Sequence, residues 1–237
     1  MRKIIAAGLA ELGLSDQVPQ EAPEQLAEYG RLLLEQNQVM NLTAIREEDG
    51  VARLHMLDCA ALLLCADFSG KTLIDVGTGA GFPGLVLKIL VPSLQVTLLD
   101  SLGKRVDWLA RTADRLGVTG LSALHARAEE QAVVKGFRDS FDFATARAVA
   151  DLRLLSELCL PFVRPGGRFL SMKSVDSAPE VLAAAHAVKL LGGRMEEPFD
   201  YTIPGTQITH RVLSIRKAAP TLKGYPRRWA KMQKEPL

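Results

Sequence analysis

Apolar and polar positions follow two different rhythms along this chain, and the change from one to the other falls near Gly70. Before that glycine, apolar residues recur every three to four positions, the period of an amphipathic helix. Lys3 to Leu12 shows this spacing and is broken by Gly13 and Pro19. Glu24 to Val39 repeats it, with Leu26, Tyr29, Leu32 and Leu33 on the side to be buried. Asn41-Leu42-Thr43-Ala44-Ile45 reads as a connector, and Asp49 is placed to cap a third helix over 51–65. After Gly70, short apolar runs rich in β-branched residues alternate with helical patterns. Strands are predicted over 72–76, 95–100, 121–125, 141–146 and 167–173, and helices over 83–91, 103–117, 128–135, 149–161 and 178–191. Such alternation implies a parallel sheet covered on both faces by right-handed crossovers. The rhythm fails at the end. Phe199 to Pro204 and Thr209 to Lys217 are separated only by Gly205-Thr206-Gln207-Ile208, too short for a crossover helix, so they predict an antiparallel hairpin at the sheet edge.

The first strand runs into Asp75-Val76-Gly77-Thr78-Gly79-Ala80-Gly81-Phe82-Pro83-Gly84, a glycine loop followed by a helix that opens at proline. A loop of this kind at the carboxyl end of a parallel strand is where nucleotide-like ligands bind. Gly79 to Gly84 satisfies G-x-G-x-x-G, and Asp100 lies at a suitable distance to hold a ribose, which is the dinucleotide pattern. Read from Asp75, the same stretch is D-x-G-x-G-x-G, the loop of S-adenosylmethionine-dependent methyltransferases. An acid ahead of the loop suits a ligand with a cationic amino-acid end and repels a pyrophosphate. No lysine or arginine lies between Asp75 and Lys88, so a diphosphate would depend on backbone N–H groups and the helix dipole alone. The closing hairpin argues the same way, since a dinucleotide fold continues with helices. The expected architecture is therefore α/β: a Rossmann-like, class I methyltransferase with a mostly parallel seven-stranded sheet, a terminal antiparallel hairpin and an N-terminal helical extension. The expected divisions are a helical extension over 1–68, a methyltransferase domain over 69–218 and a basic tail over 219–237.

With 237 residues, 48% of them hydrophobic, the chain has enough apolar material for a large core. Cys59, Cys65 and Cys159 have no C-x-x-C spacing, and His55, His125, His186 and His210 are scattered, so neither a disulfide framework nor a metal site is expected. The N-terminus begins like a signal peptide, but Glu11 and Asp16 interrupt its apolar stretch. These features predict a cytoplasmic protein without membrane attachment, acting as a monomer. The net charge of +2 conceals an asymmetry: residues 1–70 carry five basic and eleven acidic side chains, whereas residues 211–237 carry eight basic side chains and one acid. A basic tail containing Tyr225 and Trp229 suits nucleic-acid phosphates and bases, although a solvated terminus fits the charge equally well.

Several residues should ring the ligand. Asp100 ends the second strand, where it can accept both ribose hydroxyls or cap the next helix. Ala128 and Glu129 follow the third strand near the expected adenine edge, and Glu129 fits a first-turn acid as well. Arg147, between alanines at the end of the fourth strand, can contact cofactor, hold a phosphate, stack on a base or form a structural ion pair. Lys173 ends the fifth strand at the same rim, and His55 and Asp58 sit one turn apart in the N-terminal region. Two chemistries are disfavoured. Thr145-Ala146-Arg147-Ala148 occupies the place where enzymes acting on exocyclic amino groups carry Asn/Asp-Pro-Pro-aromatic, and Cys159 lies inside an apolar helix rather than in a nucleophile position.

Taken in order, Asn41-Leu42-Thr43-Ala44, His55-x-x-Asp58, the segment Asp75 to Gly84, Leu99-Asp100-Ser101-Leu102-Gly103-Lys104-Arg105, Arg127-Ala128-Glu129, Ala146-Arg147-Ala148 and Lys173 closely resemble the bacterial 16S ribosomal RNA guanine-N-7 methyltransferases, the RsmG or GidB family. The resemblance runs from about residue 25 to the C-terminus, where Tyr225-Pro226-Arg227-Arg228 looks like the basic tail of the longer members. Leu54 and Cys59 depart from the family pattern, in which a basic residue and a serine are usual. The resemblance implies methyl transfer from S-adenosylmethionine to a guanine of small-subunit rRNA, free or within an assembling subunit. It places Gly77, Phe82, Ala128, Glu129 and Arg147 at the cofactor, beside Asp75, Gly79, Gly81 and Asp100 from the loop reading. Arg147 and Lys173 are the expected catalytic side chains, with Lys104, Arg105 and the tail as further RNA contacts.

Overall fold

Strand β1 (Thr72–Val76) is the centre of the fold because alternate residues enter two separate apolar layers: Leu73 on one face, Ile74 and Val76 on the other. The computed structural model describes residues 1–237. β1 pairs in parallel with β2 (Gln95–Asp100), which pairs with β3 (Leu121–His125), and on its other side with β4 (Phe141–Arg147). β5 (Val163–Ser174) extends the parallel set. The chain then forms β6 (Gly193–Met195), β7 (Phe199–Thr202) and β8 (Thr209–Lys217), with β8 antiparallel to β5 and inserted between it and the two short strands. Eight strand segments thus fill seven positions, because β6 and β7 share one edge of β8. The interruption falls at Glu196-Glu197-Pro198, where proline has no N–H to give to the ladder. The β5–β8 register sets Ser174 opposite His210, which carries that histidine to the rim where the parallel strands end.

One layer is made by α1 (Arg2–Glu11), α2 (Ala22–Asn37) and the helical stretch over 48–64, together with α5 (Gly84–Leu90) and α6 (Gly103–Arg115). The stretch over 48–64 is irregular: α3 (Glu48–Val51), a π-helical segment (Ala52–Leu57), α4 (Asp58–Ala60) and a 3-10 turn (Ala61–Leu64). Asp49 does not cap it; its carboxylate binds Arg53 Nε at 3.0 Å, and Glu47 occupies the capping position. The opposite layer holds α7 (Ala128–Gln131), α8 (Leu152–Cys159) and α9 (Ala178–Leu190). α8 starts three residues later than its apolar pattern suggests, because the Asp151 side chain accepts from the N–H groups of Arg153 and Leu154. α7 stops at Gln131, well short of the predicted 135. The terminal residues are ordered into α10 (Trp229–Lys234), which composition alone did not suggest. No helix is long and apolar enough to cross a membrane.

The N-terminal helices press directly on the glycine loop. Tyr29 of α2 is completely buried and its hydroxyl donates to the Ala80 carbonyl. Gly81 has φ +95°, and a Cβ there would meet Tyr29 Oη at 2.6 Å and Leu109 Cδ2 at 2.8 Å. Gly81→Ala combines a left-handed backbone with a steric conflict and should lower the unfolding free energy by about 1–3 kcal/mol. Denaturant titration of both proteins measures the loss; an unchanged midpoint would contradict the packing of α2 on this loop.

Candidate active site

The loop is shaped from beneath by Asp75. Its carboxylate is fully buried; Oδ2 accepts from Thr78 Oγ1 at 2.6 Å and from the Gly84 N–H at 2.9 Å, and Oδ1 accepts from Thr145 Oγ1 at 3.1 Å. Burial raises its pKa to about 6, against the pull of those three donors. Asp75 therefore lies under the loop with its lone pairs engaged by protein, which corrects the expectation that it faces the ligand directly. Gly81 likewise packs inward. Gly77 (φ +68°) and Gly79 (φ +58°) face the cleft, and a Cβ on Gly79 would come no closer than 4.0 Å to any atom beyond its neighbours, so it would project into open space. Asp100 does not cap α6, whose capping position is Leu102; its carboxylate instead braces the backbone on both sides. Oδ2 accepts from the Gly79 N–H and Oδ1 from the Leu102 N–H, each at 2.9 Å, fastening the loop to the end of β2 and turning the chain into α6.

Two cavities flank this loop, and Gly77 lines both. The larger, about 580 Å³, is bounded by Gly79, Phe82, His55, Arg147, Lys173 and His210. The smaller, about 220 Å³, is bounded by Asp100, Ala128, Glu129, Val149, Leu158 and Trp229. The smaller cavity is mostly apolar, with Asp100, Glu129, Ser101 and Arg127 as its polar groups, whereas the larger gathers His55, Asp58, Arg105, Arg147, Lys173 and His210. The two cavities meet at Gly77, so an apolar compartment and a charged one lie side by side along the loop.

Arg147 organises the larger cavity. Nη1 donates to the Leu54 carbonyl and to Asp58 Oδ2, both at 3.1 Å, and Nη2 donates to His55 Nδ1 at 2.9 Å. Its guanidinium stands 5.0 Å from the centre of the Phe82 ring, on which the His55 imidazole also stacks at 4.5 Å. Because His55 Nδ1 accepts from an arginine, its proton sits on Nε2 and is donated to Thr43 Oγ1 at 2.8 Å. Asp58 Oδ1 accepts from Tyr201 Oη at 2.6 Å and His210 Nδ1 at 2.8 Å. Burial pushes the Asp58 carboxyl up, but His210, Arg147 and Tyr201 together hold it below the ordinary carboxylate range. His210 is shifted upward by the same carboxylate. The π-helical segment carries His55 and delivers Asp58 at its end, a usual setting for that irregular geometry.

Arg147, Lys173, Gly77, Gly79 and Phe82 thus come together around one cavity, and Asp100, Ala128 and Glu129 around the other. Lys173 is half-committed, donating to the Ala150 carbonyl at 2.9 Å and pairing with Glu180 at 2.6 Å. Arg105 reaches the larger cavity, whereas Lys104 is exposed on α6. His210 and Tyr201 could not be named as site residues from the sequence, and Trp229 was named only as an aromatic of the basic tail. His210 is 152 positions from the aspartate it binds, and only the β5–β8 register brings the two together.

The network makes a pH prediction. Burial, then the Arg147 charge, lower the His55 pKa to about 4, so the folded chain excludes a proton that the unfolded chain takes up below about pH 6.5. His55 therefore costs stability as pH falls from about 6.5 towards 4. In His55→Gln, the drop in unfolding free energy between pH 7 and pH 4.5 should be smaller than in the parent by about 2 kcal/mol. Urea titrations at the two pH values measure it, and identical drops in both proteins would contradict the neutral, donor-accepting imidazole.

Known proteins agree with this architecture. The family model GidB, described as rRNA small subunit methyltransferase G, matches residues 22–200. A protein named ribosomal RNA small subunit methyltransferase G from Lachnoclostridium phytofermentans is 43% identical over 231 residues, covering 97% of this chain and 95% of its own. Its namesake from Alkaliphilus metalliredigens is 41% identical over 237 residues, covering 100% and 98%. Among solved structures, a variant of the 16S rRNA (adenine(1408)-N(1))-methyltransferase from Catenulisporales acidiphilia aligns with a TM-score of 0.53 at 14% identity, covering 65% of this chain and 88% of that one. A SAM-dependent methyltransferase from Aquifex aeolicus aligns with a TM-score of 0.50 at 18% identity, covering 68% and 91%. The structural likenesses establish the class I methyltransferase fold, and the sequence matches go further: the chain belongs to the GidB family of rRNA small subunit methyltransferase G proteins.

Proposed function

We propose that this chain transfers the methyl group of S-adenosylmethionine to N-7 of a guanine in 16S ribosomal RNA, acting in the cytoplasm on the free RNA or an assembling small subunit. The family membership supports the donor and the RNA substrate. The observation that carries the choice of atom is that the acid–base groups beside Arg147 are engaged, only His210 keeping a ring nitrogen, Nε2, without a partner while its Nδ1 donates to Asp58. Both nitrogens of His55 and both oxygens of Asp58 are hydrogen-bonded within the network, and Lys173 is paired with Glu180. Methylation of an amino group must dispose of a proton. Guanine N-7 has a free in-plane lone pair and requires no such step, so a site whose groups around Arg147 are tied up suits it.

Gly77, Gly79, Phe82, Asp100, Ala128, Glu129 and Arg147 are the residues that would hold the cofactor, with Asp75 and Gly81 maintaining the loop beneath. S-adenosylmethionine supplies a methyl group on a positively charged sulfur. What remains for the protein is alignment: Arg147, fixed by Leu54, Asp58 and His55 and packed on Phe82, defines the wall against which a base is set. Such positioning is worth roughly 7–11 kcal/mol in favourable cases. N-7 faces the deep, narrow major groove of an RNA helix, so the guanine enters unpaired or splayed from its stack. In this reading residues 1–68 form a ceiling over the cleft, residues 69–218 hold the donor, and the basic residues of 219–237 add to RNA contact.

Two measurements test the proposal. 7-Methylguanosine in 16S rRNA should be present in cells with the gene and missing at one guanine in cells without it; an unchanged pattern would refute the assignment. Arg147→Ala should reduce transfer of labelled methyl to unmodified 16S rRNA by at least about 100-fold, the scale of losing alignment, while its circular dichroism stays that of the parent. Parent-level turnover would remove Arg147 from the assigned role.

A further inference from the structure

The C-terminal segment is held against the sheet by interactions too specific for a solvated basic tail. Arg227 forms a two-pronged ion pair with Glu157 of α8, Nε to Oε1 at 2.8 Å and Nη2 to Oε2 at 2.6 Å, and the Arg227 backbone N–H donates to the same carboxylate at 2.8 Å. The Glu157 side chain is only 1% exposed and that of Arg227 13%. From the other side, Arg138 donates to the carbonyls of Thr221, Leu222 and Tyr225 at 2.8, 3.0 and 2.7 Å. Met232 of α10 is completely buried. A buried ion pair of this kind stabilises a fold only weakly, and its best-attested use is to fix one arrangement among several. Here the arrangement fixed is that of α10.

What α10 presents is its first residue, Trp229. The indole is half-buried, packs against the apolar layer that includes Leu158, and forms one wall of the smaller cavity together with Asp100, Ala128 and Glu129. The other apolar walls are Val76, Leu99, Ala126, Ala128, Val149 and Leu158, so Trp229 is the only aromatic side chain lining it. A purine has two flat apolar faces and a polar rim. Aliphatic side chains, one indole and the acids Asp100 and Glu129 line the same cavity, the groups that such a ligand requires.

We infer that Trp229 is a binding residue for the adenine moiety of the donor and its demethylated product, and that Arg227 is a positioning residue, since it sets the indole through Glu157. The inference depends on the proposed methyl-donor function for the identity of the ligand. It assigns the last segment of the chain to the cofactor as well as to RNA.

Calorimetry with S-adenosylhomocysteine and with 5′-methylthioadenosine, which lacks the amino-acid end, separates the possibilities. Trp229→Ala should weaken both ligands by a similar factor, about 10- to 100-fold, the range for removing an aromatic partner from a base. Trp229→Phe should restore most of the affinity, and Arg227→Gln should weaken both ligands in the same direction. Binding of both ligands by Trp229→Ala at the parent's affinity overturns the inference and leaves the methyltransferase reading intact. A loss confined to S-adenosylhomocysteine overturns it as well, because the effect would then lie at the amino-acid end. Failure of the parent chain itself to bind either ligand overturns both readings. As an independent readout, in a Trp108→Phe background Trp229 is the only tryptophan, and its fluorescence should change on addition of 5′-methylthioadenosine; no change would contradict an indole at the adenine.

Discussion

The buried carboxylate of Asp75 is the constraint on which the cleft depends. Three donors from three elements converge on it: Thr78 in the loop, Gly84 at the start of α5 and Thr145 on β4. Removing an ionised carboxylate from water costs several kcal/mol, and only a full set of hydrogen bonds, each to a charged acceptor worth about 1.5–3 kcal/mol, offsets that cost. The balance is visible in a pKa raised by burial to about 6 yet still below neutrality. Above that pH the group is charged, and its donors must stay where they are or leave the charge unpaired. The loop is rigid for that reason, and its N–H groups and glycine faces are preset for a ligand.

The other wall is held by a second network. The ceiling of the larger cavity comes from the stretch over 48–64, where a π-helical segment interrupts the regular hydrogen-bond ladder. Arg147 joins the two walls, reaching from β4 to the Leu54 carbonyl and Asp58. Its desolvation is offset by Asp58, and Asp58 in turn is satisfied by Tyr201 and His210 from the hairpin. Removing Asp58 would leave Arg147 and Tyr201 without their shared buried partner, so positioning at the cleft and packing of the N-terminal helices are coupled.

Much of this was legible in the letters. The alternation of short apolar runs with helical patterns located β1, β2 and β3 at their observed ends, most plainly in the buried run of β1. The short Gly205–Ile208 connection announced the reversed hairpin. Residue types at strand ends named Arg147, Lys173, Asp100 and Glu129. The patterns were silent where geometry depends on distant pairing. β6 is three residues long with no alternation to reveal it, and its existence rests on the partner strand β8. The role of Asp75 was misjudged because a sequence shows an acid's charge but not which side of the backbone receives it. His210 gave no local signal, and Trp229 signalled only an aromatic in a basic tail, since each acquires its place through register or docking.

Those two residues share an origin that explains the arrangement. The carboxyl ends of parallel strands form a crevice open on its outer side, and the loops of the sheet alone cannot close it. In this chain the closure comes from segments outside the parallel strands: His55 and Asp58 precede β1, while His210 and Trp229 follow β5. Each is fixed by an ion pair or charged hydrogen bond to a group on a different element, Arg147 to Asp58 and Arg227 to Glu157. Long-range charge pairing is a weak source of net stability but a strong source of geometry, since a mispaired arrangement would strand buried charges. The cleft is therefore complete only when both ends of the chain have docked. A donor that fills it is bound by the folded whole, and by linkage its binding stabilises both terminal segments along with the loop between them.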